Sequence, residues 1–138
     1  MAGRRDYEDI HVGERASARR TITAAGIDDF AALCGDYNPI HVDEEYAKGT
    51  RWGGRIAHGM LVAGLVTQTL SELGGEGAVH TSQEVSFRAP VHVGDTVTVT
   101  SEVTGKVEDK RRLLVTNTWV NQDGVTVIEG KGELLIPR

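Results

Sequence analysis

Residues His58 to Leu70 read HGMLVAGLVTQTL, and Ser71-Glu72-Leu73 carries the run to a Gly74-Gly75 stop. The stretch lacks a clear polar face, which predicts a buried helix over Met60–Leu73, roughly 21 Å long. The chain after it changes period. Glu84-Val85-Ser86-Phe87 and Thr96-Val97-Thr98-Val99-Thr100 alternate apolar with polar. Arg112–Val120 and Gly124–Ile136 are rich in Val, Thr, Leu and Ile, and Asn121-Gln122-Asp123-Gly124 between them is a hairpin turn. One buried helix followed by four strands with short connections predicts an α+β domain, an antiparallel sheet curled around that helix. Such a sheet has two edges, and edge pairing favours a homodimer.

Ahead of the helix, Arg19–Thr23 reads as a short strand and Thr23 as the cap of a helix. Ile27, Phe30, Ala31 and Cys34 form the apolar face of that helix. Gly35 fits its end, and Pro39 excludes Asn38 from helical geometry, so Cys34–His41, CGDYNPIH, reads as a turn or loop. Asp43 caps one or two further turns ending near Lys48-Gly49, and a Gly-rich loop runs from Thr50 to Arg55.

The 138 residues suit one domain, 1–138, with 39% hydrophobic and 25% charged residues. A net charge of -5 argues against a nucleic-acid binder that works by neutralising phosphates. The single cysteine, Cys34, rules out an intrachain disulfide and fits a cytoplasmic location. The first residues, MAGRRDYEDIHVGER, contain no apolar signal region, and the run near Met60–Leu70 is too short and too polar to span a bilayer. Neither a membrane nor a nucleic acid is expected as partner.

Two places in the chain can carry chemistry. Asp36 and His41 both exchange protons, and a turn can set them on either side of one water. The plainer reading is a turn whose acid bonds its own backbone and whose histidine packs as a cap. At His58-Gly59-Met60, a glycine at a helix start lets a ligand approach the free N–H groups there, which favour negative charge. The plainer reading here is an ordinary helix start, with His58 orienting the loop. His11, His41, His58, His80 and His92 show no ligand spacing, so no metal is expected. Phosphate-loop and dinucleotide patterns are absent, and no cofactor is expected.

Three blocks together carry a resemblance. Phe30–Asp43, FAALCGDYNPIHVD, resembles the G-D-x-N-P-[IL]-H signature of the MaoC-like hydratases, which include the (R)-specific enoyl-CoA hydratases. Gly54–Leu61, GRIAHGML, and Val85–Val91, VSFRAPV, with Gly94-Asp95-Thr96, resemble the second and third blocks in order. The resemblance implies the hot-dog fold, a homodimer and an acyl-CoA thioester bound near the subunit interface. It implies catalysis by Asp36 and His41, and an oxyanion hole at the Gly59 N–H. It also suggests supporting places for Asn38 and His58, and for Thr67 as a hydroxyl behind the aspartate.

Rival activities weigh differently. A hot-dog thioesterase places a carboxylate on the central helix, but Met60–Ser71 has none and Glu72 comes only near its end. A non-catalytic acyl-binding subunit would lack the acid–base pair. A 3-hydroxyacyl-carrier-protein dehydratase needs a basic patch at the tunnel mouth, for which Arg51, Arg55, Arg88 and the cations from Lys106 to Arg112 are available. These could equally meet CoA phosphates.

Overall fold

The computed structural model describes residues 3–138. Arg15–Thr21 forms β1, Val79–Phe87 β2, Thr96–Val107 β3, Arg112–Val120 β4 and Thr126–Leu135 β5. They make one antiparallel sheet in the order β1-β3-β4-β5-β2. Val97, Val99, Ser101 and Val103 point inward from β3, while Leu113, Val115, Asn117 and Trp119 do so from β4. This is the period-two alternation of a half-buried sheet. Register shifts at His80/Ser82, Val103/Gly105 and Trp119/Val120 add local bends. The first strand begins earlier than the Arg19 start expected, and β3 runs past its bulge to Val107.

The helices cap as the residues predict. In α1, Ala24–Cys34, Thr23 Oγ1 accepts from Gly26 N at 3.0 Å, and Gly35 ends the helix at φ 79°. Asp43 Oδ1 accepts from Tyr46 N at 3.0 Å at the start of α3, Glu44–Lys48. Between them the expectation of plain turn or loop is corrected. Pro39–Val42 forms a one-turn helix, α2, because Pro39 sits at its first position, where no N–H is needed.

The central helix also differs from the continuous buried rod expected over Met60–Leu73. It is divided into α4, Gly59–Ala63, and α5, Val66–Gly74. At the junction the bonds tighten to three-residue spacing, Leu65 N to Val62 O and Thr67 N to Gly64 O, both 3.1 Å. The buried Trp119 indole donates to the Val62 carbonyl at 2.9 Å, from the facing strand. Nor is the helix buried all round: Met60, Gly64, Thr67, Gln68 and Ser71 form an exposed stripe. The other side, with Val62, Val66, Leu70 and Leu73, is core, and α5 packs on β1, β3 and β5.

A polar thread crosses this core. Thr69 Oγ1 lies 2.8 Å from Ser101 Oγ, which accepts from Asn117 Nδ2 at 2.8 Å. Gln83 Nε2 then donates to Asn117 Oδ1 at 2.8 Å. Gln83 lies against Gly130 and Gly132, where any Cβ would strike it or the β2 backbone. All of these polar groups are paired, so the thread joins helix to sheet without an orphaned donor.

The N-terminal segment is clamped by Glu14, which accepts from His11 N at 2.6 Å and pairs with Arg5 at 2.8 Å. Burial acts to raise the Glu14 carboxyl, but the His11 N–H and the Arg5 guanidinium outweigh it and hold it below the usual 4.5. A depressed carboxyl stabilises the fold above its unfolded value and loses that effect as pH falls through its folded value. Glu14→Gln is therefore expected to cost about 0.5–1 kcal/mol at neutral pH. In urea titrations at several pH values, the gap between the two proteins should hold above pH 4.5 and close as pH falls from there through the lower folded value. A constant gap across that range would contradict the assignment.

Candidate active site

Asp36 follows the left-handed Gly35 that ends α1, and His41 stands on α2. Asp36 Oδ1 accepts from the backbone N–H of Asn38 at 3.1 Å. The Asn38 side chain does a different job, accepting from Ile40 N at 3.3 Å to cap α2. Asp36 Oδ2 is left facing His41 Nε2 at 4.0 Å. That gap is too long for a direct hydrogen bond. One water can sit about 2.8 Å from both atoms.

The His41 ring is held from behind. Its Nδ1 lies 2.8 Å from the Ile56 carbonyl, an acceptor only, so Nδ1 carries the proton. The neutral ring then presents a lone pair at Nε2, toward Asp36. His58 has the opposite tautomer: Nε2 donates to the Asp36 backbone carbonyl at 2.9 Å. Its ring stacks on His41 at 4.0 Å between centroids and meets Phe30 at 4.9 Å. His58 thus touches Asp36 and His41 at once and immediately precedes Gly59. Its buried Nδ1 has no partner among the described residues.

Gly59 opens α4, so its N–H has no intrahelical acceptor. It lines a cavity of about 540 Å³ that also reaches His41. Buried Ala57, Val62, Val91 and Ile128 form apolar wall, and Arg51, Trp52 and Arg88 also line it. The Arg51 guanidinium lies 4.2 Å from the Trp52 ring centroid. Phe87 closes over Gly59: a Cβ there would stand 2.5 Å from Phe87 Cε1.

Among the other cations weighed for a substrate phosphate, Arg55 pairs with Asp28, Arg111 with Glu8 and Arg112 with Glu133. Lys106 donates to the Tyr7 carbonyl. Thr67 does not reach Asp36 in this chain. Its hydroxyl donates to the Gly64 carbonyl at 2.9 Å, and it lines a separate small cavity with Leu70, His80 and Leu134. A hydroxyl on a helix satisfies the carbonyl three or four residues back when nothing better is in reach.

The fold brings together what histidine spacing could not reveal. Asp36, His41 and His58 offer ligand-type atoms within 4.8 Å of one another. A metal there would need a lone pair on His58 Nε2, and that atom's proton is committed to the Asp36 carbonyl. The trio suits a water between two acceptors better than an ion. Sequence reasoning also missed Phe87 as the cover of Gly59 and Ile56 as the acceptor behind His41. Phe87 lay in the third family block, its only signal.

The antiparallel sheet packed on a central helix is the hot-dog architecture, and it sets a carboxylate and an imidazole 4.0 Å apart beside an apolar cavity. The chain belongs to the MaoC-like family: the model described as MaoC like domain matches residues 9–124. It is 44% identical to an (R)-specific enoyl-CoA hydratase of Rhodospirillum rubrum, over 95% of this chain and 91% of that one. It is 39% identical to a 3-hydroxybutyryl-CoA dehydratase of Methylorubrum extorquens, over 96% and 84%. Among solved structures it is similar to the (R)-hydratase from A. caviae involved in PHA biosynthesis, with a TM-score of 0.91 and 37% identity, covering 94% of this chain and 99% of that one.

Proposed function

We propose that this chain catalyses the reversible, (R)-specific hydration of trans-2-enoyl-CoA to (R)-3-hydroxyacyl-CoA. The observation that carries this reading is the 4.0 Å gap between Asp36 Oδ2 and His41 Nε2, two acceptors aimed at one water beside the Gly59 cavity. A water that donates to both acceptors turns its lone pairs outward, toward C3 of the substrate. The thioester oxygen takes the Gly59 N–H, which stabilises the negative charge that develops as C3 is attacked. One water O–H bond breaks, a C3–O bond forms, and the proton passes through the Asp36–His41 pair to C2. Both additions come from one face, so the addition is syn. Dehydration retraces the same steps.

The assembly we propose is a homodimer. The exposed stripe Met60, Gly64, Thr67, Gln68 and Ser71 and the edge strand β2, with Val79 and Phe87 exposed, support a second copy as the cover. No helix among the described residues is long and apolar enough to cross a membrane. The single free cysteine supports a cytoplasmic location.

Crotonyl-CoA is the first substrate to offer. Loss of the conjugated enoyl absorbance is expected, with a product oxidised by an (R)-specific and not by an (S)-specific 3-hydroxyacyl-CoA dehydrogenase. An (S) product, or release of free CoA thiol, would overturn the reading. The carrier-protein thioester of the same acyl group, run in parallel, separates the two donors.

A further inference from the structure

We propose that Arg55 is a positioning residue: its guanidinium, braced by Asp28, grips the backbone of His41 and sets the aim of the imidazole. This rests on the proposed role of His41 in water activation. Arg55 was one of several cations that could have met a substrate phosphate, but its side chain is only 10% exposed. It spends two donors inside the protein. Nε donates to the His41 carbonyl at 2.5 Å, and Nη2 donates to Asp28 Oδ1 at 2.5 Å.

Each bond answers a local need. α2 is one turn long and cannot satisfy its own last carbonyls, so the His41 carbonyl needs an outside donor. The next residue completes the grip: Ile56 N donates to the Ile40 carbonyl at 3.2 Å, and the Ile56 carbonyl accepts from His41 Nδ1 at 2.8 Å. Consecutive residues therefore hold His41 by its main chain and by its ring. Asp28 lies on α1, the helix whose end delivers Asp36. Arg55 thus ties the element that carries the acid to the element that carries the histidine. The gap between Asp36 Oδ2 and His41 Nε2 depends on how these two short elements sit. A planar fork with donors in two directions suits this task, and an ammonium does not.

The test compares wild type with Arg55→Lys, Arg55→Ala and Asp28→Asn, each first shown to be folded by circular dichroism. For the two Arg55 variants, kcat with crotonyl-CoA is expected to fall by about 10- to 100-fold, since a small misplacement of a reacting group costs that much. KM should stay within about threefold, because the substrate is not touched. Asp28→Asn keeps the guanidinium and should lose up to about fivefold, the size of a partly exposed ion pair. It also serves as the probe if the Arg55 variants do not fold.

Imidazole nitrogen-15 NMR supplies a readout that general loosening would not move. His41 should show the Nδ1–H tautomer in wild type and a mixture in Arg55→Ala. Wild-type kcat in every variant, or a rise in KM with kcat unchanged, would overturn the proposal, the latter by making Arg55 a substrate contact. Were wild type itself inactive on enoyl-CoA, the functional reading would fail, while the NMR comparison would still decide what Arg55 does.

Discussion

Asp36→Asn is expected to lower kcat for enoyl-CoA hydration by about 100- to 10,000-fold, the usual worth of a positioned acid–base group. The substitution is nearly isosteric. Oδ1 can still accept from Asn38 N, so the turn between α1 and α2 should keep its shape. What changes is the atom that would face the proposed water. Oδ2 now lies 4.0 Å from His41 Nε2 and offers a charged acceptor; an amide offers either a donor or a weaker, neutral acceptor. The water then loses one of the two bonds that orient it. His41→Ala should cost a similar factor from the other side. The double variant should cost little more than either single one, because in the proposed mechanism the two groups act as a unit on one water. Rapid-quench or continuous absorbance assays of the three variants would check this. Independent, multiplicative losses would mean that the residues serve separate steps.

The second large effect is expected at Gly59 and needs a background that separates two causes. Gly59→Ala keeps the N–H but pushes a Cβ to 2.5 Å from Phe87 Cε1, so activity lost there could reflect a displaced ring. In Phe87→Ala that obstacle is gone. Gly59→Ala should then be active, and Gly59→Pro should be slower by about 100- to 1,000-fold in kcat, the worth of one oxyanion donor. Proline is suited to this place. Gly59 is the first residue of α4, where proline is favoured, and His58 has ψ 131°, as a residue before proline requires. Equal rates for the alanine and proline forms would remove the Gly59 N–H from the mechanism.

Much of the fold was legible because its determinants are local. Thr23, Gly35 and Asp43 mark helix ends through contacts a few residues away, and the Asn121–Gly124 turn joins β4 to β5 as its composition requires. The alternating valines of β3 read as a strand because each face has one solvent. The break in the central helix was not legible. It coincides with the Trp119 indole, on a distant strand, bonded to the Val62 carbonyl, and helical periodicity carries no trace of that. The exposed stripe was hidden for a related reason: Met60 and Gly64 look apolar in sequence, yet nothing among the described residues covers them.

The site divides in the same way. Asp36 and His41 were visible as reactive residue types flanking a proline, and three family blocks gave Gly59 a place beside them. Their geometry was not visible. The tautomers follow from Ile56 and Asp36 carbonyls that any residue would supply, and the His41–His58 stack joins residues that no ligand spacing relates. Arg55 looked like one cation among many; only its burial against α1 and α2 distinguishes it. Thr67 was placed by resemblance, and its hydroxyl is held by the Gly64 carbonyl at the junction of α4 and α5.

The central claim is that Asp36 and His41 deliver both halves of one water from the same side of the substrate. Hydration of crotonyl-CoA in deuterium oxide, followed by proton NMR of the 3-hydroxybutyryl product, tests it most directly. The account predicts a single diastereomer, (R) at C3, with deuterium at C2 added syn to the hydroxyl. Deuterium added anti, or scrambled between the two C2 positions in the first turnover, would contradict it.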